Sequence, residues 1–182
     1  YNNAVLNLLF ADNKDLIEAG RCASFEALGG TGGLKIGADF IKRMNPGATV
    51  WISDPSWENH RALFEAAGFP VKAYSYYDAP SHGVRFQVLL ADIQAMKAGD
   101  VIVLHACCHN PTGVDLTGSQ WREVINAVGH QQLIPFLDMA YQGFAEGITE
   151  DAIALNLLAN SGQSFFVSSS FSKSFSLYGE RI

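Results

Sequence analysis

Five short apolar segments, separated by helical patterns, constrain the fold of this 182-residue chain more than any other feature. Several of them are continuous apolar runs rather than alternating ones, which is typical of strands that are buried on both faces. Strands are predicted at residues 49–53, 71–76, 101–106, 133–138 and 165–169. Because helical patterns lie between them, we expect an α/β fold with a mostly parallel sheet and helices on both of its faces, in three layers.

The helices are predicted at residues 34–44, 59–67, 86–98, 117–128 and 151–159. Gly68 and Gly99 follow two of them, as expected of glycines that end helices, and Thr149 is expected to cap the last one. The helix at 117–128 has apolar residues at i, i+3, i+4 and i+7 spacing, namely Trp121, Val124, Ile125 and Val128. Ligands of such sheets bind beyond the carboxyl ends of the strands, so residues that follow a strand are the first site candidates.

Composition excludes several classes of protein. Hydrophobic residues make up 48% of the chain and charged residues 16%, which excludes a disordered protein. The net charge of -6 argues against nucleic-acid binding through bulk positive charge. No apolar run approaches the ~20 residues of a membrane helix. An odd number of cysteines, two of them adjacent, gives no disulfide framework and favours the cytoplasm.

A cluster of glycines at residues 29–33 precedes the helix predicted at residue 34. A glycine-rich loop that opens a helix exposes backbone N–H groups to an anion. The cluster does not fit the Walker template, because Leu34 separates Gly33 from Lys35, and the dinucleotide fingerprint would need glycine at Lys35. A flexible connection is the alternative interpretation.

The segment HACCHNPTG at residues 105–113 follows a predicted strand. Its two histidines and two cysteines (His105, Cys107, Cys108 and His109) suggest a metal site. Adjacent residues of an extended chain point to opposite faces, however, so we expect no metal ligand here. Asn110 precedes proline in a turn signal and is well placed to offer its amide to a cleft.

Two charged residues follow the last two strands. Asp138 ends an apolar strand, where burial is costly unless the carboxylate meets a cation or donors, although a helix cap is the alternative. Lys173 stands among small hydroxyl residues, with Arg181 eight residues further on. It is either an ordinary solvated lysine or a desolvated amine that loses its proton readily and attacks a carbonyl.

These candidates match the parts of one ligand, pyridoxal phosphate. Its aldehyde suits Lys173 and its protonated ring nitrogen suits Asp138, whereas NAD or ATP would leave both residues without a role. Its other parts are a phosphate, a ring hydroxyl and a flat ring face. The glycine loop, Ser170 and Arg181 are candidates for binding the phosphate. Tyr141 and Asn110 are candidates for the ring hydroxyl, and Trp57 is the candidate for the ring face.

The chain resembles the class I (aspartate/aromatic) aminotransferases, which are fold-type I pyridoxal-phosphate enzymes. The matching segments, in the family's order, are GGTGGLKIGADF, SDPSWENH, HACCHNPTG, LDMAYQGF and SSSFSKSFSLYGER. The resemblance implies a cytoplasmic homodimer that moves an amino group between an aromatic or acidic L-amino acid and a 2-oxo acid such as 2-oxoglutarate, with ping-pong kinetics. Gly29 stands where aspartate-specific members usually have Ser, so the chain looks more like the bacterial aromatic-amino-acid (tyrosine) branch.

The resemblance also implies roles for individual residues. The catalytic ones are Lys173, which would bond to the cofactor aldehyde, Asp138, which would pair with the ring nitrogen, and Tyr141, which would bond the ring oxygen with Asn110. The remaining cofactor-binding residues are Gly30, Thr31, Ser170 and Arg181 for the phosphate and Trp57 for the ring face. Trp57 and Asn110 would also lie near the substrate carboxylate, and His60 and His105 would support Asp138 and the ring from the second layer of residues. The resemblance further implies cis peptide bonds before Pro55 and Pro111.

Residues 1–182 correspond to only part of the family's large, cofactor-binding domain. We expect both ends to be cuts through a longer protein. This chain would then lack the N-terminal arm, the small domain and the arginines that bind substrate carboxylates. The piece would hold most of the cofactor site and little of the substrate site. Four alternatives stay open: aspartate specificity, another pyridoxal-phosphate reaction such as that of a lyase or decarboxylase, a cofactor-binding fragment without turnover, and a metal site at the histidines and cysteines of residues 105–109.

Overall fold

The computed structural model describes residues 1–182 and has a five-stranded parallel sheet at its centre. Each of its strands lies within one residue of the predicted bounds at both ends. A short antiparallel hairpin of two further strands stands apart from it. The strands are β1 (Val50–Asp54), β2 (Val71–Ser75), β3 (Tyr77–Asp78), β4 (Gly83–Val84), β5 (Val101–His105), β6 (Ile134–Met139) and β7 (Phe166–Ser169). The order in the sheet is β2-β1-β5-β6-β7.

Seven helices surround the sheet, together with 3₁₀ turns at Glu150–Ala152 and Tyr178–Glu180. No helix is long and apolar enough to cross a membrane. The helices are α1 (Asn2–Leu9), α2 (Lys14–Glu18), α3 (Gly29–Met44), α4 (Glu58–Ala66), α5 (Phe86–Ala95), α6 (Gly118–His130) and α7 (Ile153–Ser161). The first two were not predicted, because α1 is rich in asparagine and both are short.

The three-layer prediction is confirmed by the way in which β5 divides its side chains. Ile102 and Leu104 belong to the apolar cluster that contains α5, α6 and α7. Val101 and Val103 belong to the cluster that contains α3 and α4. Since successive side chains of a strand point to opposite faces, the two clusters lie on opposite sides of the sheet. All of β5 is buried, which explains its continuous apolar run.

Three details of the prediction were wrong. The glycine cluster does not form a loop, because α3 begins at Gly29 and includes all of it. Helix α5 ends at Ala95, three residues before the predicted end. Thr149 makes no side-chain cap; the nearby Asp151 is buried instead and accepts backbone bonds from the turn before it. By contrast, Thr117 begins α6 with a full capping box, in which Gln120 is its partner.

Candidate active site

One solvent-open cleft lies beyond the carboxyl ends of the strands. Every predicted site residue lines it, although they come from five separate segments of the chain. These residues are Gly30, Thr31, Trp57, Asn110, Asp138, Tyr141, Ser170, Lys173 and Arg181. The two predicted cis bonds, Asp54–Pro55 and Asn110–Pro111, are both present in the segments that carry Trp57 and Asn110.

The N-terminus of α3 forms one end of the cleft. A Cβ atom on Gly29 would come within 3.0 Å of Arg181 Nη2, and one on Gly30 within 3.1 Å of Ser170 Cβ. The missing side chains therefore let a guanidinium and a serine reach the first turn of the helix. Arg181 donates to the Tyr178 carbonyl at 3.1 Å but forms no salt bridge. Unpaired positive charge beside the N–H groups of a helix N-terminus suits an anion.

A series of hydrogen bonds through His60 and Ser56 holds the Asp138 carboxylate in place. His60 Nε2 lies 2.7 Å from Asp138 Oδ2, and Ser56 Oγ lies 2.9 Å from His60 Nδ1 and 3.3 Å from His105 Nε2. When His60 is neutral and donates to the carboxylate, Ser56 donates to His60 and accepts from His105. Asp138 Oδ1 accepts no hydrogen bond from the chain, so this oxygen remains for a donor in the cleft.

Two histidines near these hydrogen bonds, His105 and His109, stay neutral near pH 7. Burial, followed by the nearby His60 and His109, holds the pKa of His105 well below its ordinary value. Burial and His60 likewise lower the pKa of His109 to about 4. His109 bonds Ser53 at 2.9 Å and Thr112 at 2.8 Å. These neutral rings support the wall of the cleft without adding positive charge to it.

The turn that follows β5 is organised by Asp115. Its two carboxylate oxygens accept the backbone N–H groups of Cys108 and His109, each at 2.7 Å. Asn110 follows directly and lines the cleft. Sequence analysis did not select Asp115. The signal that could have found it is an acidic residue two positions after Gly113, because Asp side chains often accept backbone N–H groups of a nearby turn.

Lys173 lies opposite, in the turn after β7. Its Nζ is 4.9 Å from the centre of the Tyr141 ring. The serines around it hold the turn in place: Ser170 Oγ and Ser172 Oγ are 3.1 Å apart within the turn, and Ser174 donates to the Gln142 carbonyl, in the segment after β6, at 2.8 Å. The bond to Gln142 ties the turn that carries Lys173 to the segment that carries Tyr141.

The cleft also contains residues that sequence reasoning did not select. They are Leu34, Cys107, Ala140, Ser172 and Tyr178, while Ser56 joins the two histidines behind the wall. The four residues of the suggested metal site do not form one cluster. The sulfur atoms of Cys107 and Cys108 lie instead with a carboxylate oxygen of Asp151, all within 4.8 Å of one another.

A family model described as "Aminotransferase class I and II" matches residues 1–182. This chain belongs to the class I and II aminotransferases. It is 62% identical to an aspartate aminotransferase of Pseudomonas aeruginosa and 52% identical to a tyrosine aminotransferase of Klebsiella pneumoniae. Both alignments cover all 182 residues and 46% of the relative. The chain thus spans about half the length of these relatives.

Solved structures of other aminotransferases share the fold. The crystal structure of an aromatic-amino-acid aminotransferase from Burkholderia pseudomallei, covalently bound to pyridoxal phosphate, matches with a TM-score of 0.98 and 59% identity. The match covers 100% of this chain and 45% of that one. An aspartate aminotransferase from the cytoplasm of Saccharomyces cerevisiae matches with a TM-score of 0.95 and 36% identity, over 99% and 45% of the two chains.

Proposed function

We propose that the whole protein is a pyridoxal-phosphate-dependent aminotransferase. It moves an amino group between an aromatic or acidic L-amino acid and a 2-oxo acid such as 2-oxoglutarate, with ping-pong kinetics. The observation that carries this proposal is the single cleft shared by an amine, a carboxylate and an unpaired guanidinium, on Lys173, Asp138 and Arg181. These three groups are complementary to the aldehyde, ring nitrogen and phosphate of one cofactor.

The chemistry of the donor set fits that cofactor. His60 holds Asp138 Oδ2 at 2.7 Å, while Oδ1 has no partner in the chain and suits a protonated ring nitrogen. The first turn of α3, with Gly30 and Thr31, and the guanidinium of Arg181 suit a phosphate. Bound pyridoxal phosphate supplies an electron sink that stabilises negative charge on the carbon next to an amino group.

The residues of this chain then have distinct tasks. The Lys173 amine would bond to the cofactor aldehyde and, as a free amine, would act as the general base and acid that takes and returns the proton of the substrate α-carbon. Asp138 would keep the ring nitrogen protonated, because opposite unit charges ~3 Å apart at an effective dielectric of ~20 attract by roughly 5 kcal/mol. Tyr141 and Asn110 would donate to the ring oxygen, and Trp57 would cover the ring face.

These observations define the amino-acid substrate less narrowly than they define the enzyme class. Gly29 favours the aromatic branch, and one relative at 52% identity is named a tyrosine aminotransferase. A relative at 62% identity is nevertheless named an aspartate aminotransferase. We therefore propose that both aromatic and acidic amino acids are donors, with Trp57 and Asn110 close to the substrate carboxylate.

We further propose that residues 1–182 are part of the large cofactor-binding domain of a homodimer. The outer side of α3 supports the second part of this proposal, because Ile36, Phe40 and Met44 repeat every four residues and are about half exposed or more. All three cysteines are unpaired, which fits a cytoplasmic protein. The mass of the whole protein in solution, measured by light scattering, tests the dimer.

The experiment that tests the function uses the whole protein with tyrosine or aspartate as donor and 2-oxoglutarate as acceptor. We expect turnover with both donors, and we expect borohydride to fix the cofactor to Lys173, as located by peptide mass spectrometry. Lys173→Ala should lose both turnover and the fixed adduct. Lys35→Ala is the matched control, because Lys35 lies on α3 and pairs with Asp39, so both properties should remain.

Two results would contradict the proposal. An adduct on another lysine would exclude Lys173 as the reactive amine. A fixed adduct on Lys173 without transamination by the whole protein would favour a lyase, a decarboxylase or a cofactor-binding protein without turnover. Release of carbon dioxide or ammonia from the amino acid would separate these three.

A further inference from the structure

The adjacent thiols of Cys107 and Cys108 form a compact cluster with a carboxylate at the edge of the cleft. Their sulfur atoms and a carboxylate oxygen of Asp151 all lie within 4.8 Å of one another. Adjacent residues of an extended chain would diverge, but Cys108 has a φ of 49°, in the left-handed region that few non-glycine residues adopt. The chain leaves its extended course here, and both sulfurs reach the same carboxylate.

Asp151 is held as a metal-binding carboxylate would be. Its Oδ2 accepts the backbone N–H groups of Gly143 and Ala145, and its Oδ1 accepts that of Glu146. Burial would raise the pKa of Asp151, but these bonds together lower it, so the carboxylate stays ionised. Such outer bonds are what orient the carboxylate ligands of metals.

The electrostatics around the thiols favour a cation. Burial, and then Cys108 and Asp151, raise the pKa of the Cys107 thiol, and burial and then Asp115 raise that of Cys108. A divalent cation between the two sulfurs and Asp151 would compensate the charge of the carboxylate and stabilise both thiolates.

We propose that Cys107, Cys108 and Asp151 form a binding site for a thiophilic divalent cation of the zinc and cadmium type. Binding joins the metal to two thiolates and one carboxylate oxygen, releases two protons and oxidises nothing. A tetrahedral zinc with Zn–S bonds of ~2.3 Å holds its sulfurs ~3.8 Å apart, so the cluster contracts by about 1 Å at most. A water or chloride takes the fourth position. Neither His105 nor His109 takes part, so the proposed site differs from the set of two histidines and two cysteines that the sequence suggested.

Occupancy of this site would act on the cleft. Cys107 lines the cleft, and the Cys108 thiol donates to the Tyr141 carbonyl at 3.9 Å. A thiolate that binds metal no longer donates to that carbonyl, and Cys107 is drawn toward Asp151. Resting on the proposed function, we infer that the cation inhibits the whole enzyme by disturbing the backbone of Tyr141.

The test titrates the reduced, chelator-treated whole protein, free of cofactor, with Cd²⁺ alone. We expect one ion per chain, the ultraviolet absorption of cadmium–thiolate bonds, and release of two protons per ion in weakly buffered solution at pH 7. Cys107→Ser and Cys108→Ser should each weaken binding at least 100-fold. Cys22→Ser is the matched control, because Cys22 lies outside the cluster, and this variant should bind as the wild type does.

Loss of the absorption in Cys22→Ser, or its persistence in Cys108→Ser, would overturn the proposal. So would fewer than two protons per ion. Asp151→Asn should weaken binding about tenfold; if this variant does not fold, the cysteine variants still decide. Because the titration contains no cofactor, its failure is independent of the proposed aminotransferase activity. Cd²⁺ should also inhibit transamination by the wild type, and should inhibit Cys108→Ser much less, because Cys108 does not line the cleft.

Discussion

Helix α3 carries the predicted phosphate site, and its contact with the sheet allows a sharp test of how it is held. A Cβ atom on Gly37 would lie 2.5 Å from Phe136 Cζ, whereas non-bonded carbon atoms prefer ~3.5–4.0 Å. Phe136 is 1% exposed and packs against Phe64 and Phe166, with ring centres 5.9 and 5.7 Å away. The ring has no free space to move into, so Gly37→Ala requires a shift of about 1 Å between helix and sheet.

Overpacking of this kind costs about 3 kcal/mol at the upper end of its usual range. The higher helix propensity of Ala returns about 1 kcal/mol. We therefore expect Gly37→Ala to lower the free energy of unfolding by about 2 kcal/mol, which corresponds to a decrease in Tm of about 2–3 °C in a protein of about twice this length. Thermal unfolding followed by tryptophan fluorescence of the whole protein measures it.

Gly32→Ala is the matched control in the same helix. Its Cβ would meet Leu28 Cβ at 3.4 Å and Ala27 Cβ at 3.6 Å, which are ordinary contacts. The gain in helix propensity then remains, and stability should rise by up to about 1 kcal/mol. Adding Phe136→Leu should remove most of the penalty of Gly37→Ala. A Gly37→Ala protein that is as stable as the wild type would refute the reasoning.

Three further predictions concern the site. In the whole enzyme, Asp138→Asn should reduce transamination at least 100-fold while the cofactor is retained, and near-normal turnover would count against the assignment. Arg181→Ala should weaken cofactor affinity by about 10–100-fold, a loss of roughly 1.5–3 kcal/mol, and change the proton transfer less; unchanged affinity in a cofactor titration would locate the phosphate elsewhere. Because the pKa of His109 is about 4 in the folded chain and ordinarily near 6.5, the unfolded chain binds more protons between these values. Stability should therefore fall by up to about 3 kcal/mol as the pH is lowered from 6.5 to 4, and urea midpoints that do not change over this range would contradict the prediction.

The strands were predictable because a doubly covered parallel sheet leaves a local record in the sequence. Each strand of the central sheet is a short apolar run, and burial of every residue in β5 accounts for the run at 101–106. The start of α3 was not predictable in this way. Glycines disfavour helices, yet Gly33 and Gly37 are where α3 approaches Ser168 and Phe136. Contact with the sheet outweighs the local preference.

The residues of the candidate site were also only partly predictable from the sequence. Lys173, Asp138 and Arg181 were suggested by their unusual positions after strands, and the resemblance to a family supplied their implied roles. Ser56, which joins two histidines from β5 and α4, had no local signal. Nor did Asp151, whose carboxylate reaches two cysteines more than forty positions earlier in the chain.

Burial patterns and reactive side chains are local properties of a chain, so the strands, most of the helices, the family and the candidate reactive residues could be predicted from the sequence. Which of these residues come into contact depends on the tertiary structure. Parallel strands bring the ends of distant segments to one edge of the sheet, so the neighbours of Asp138 and of the paired thiols depend on strand order and backbone turns. Those neighbours, and the charge and burial they impose, determine what each group does.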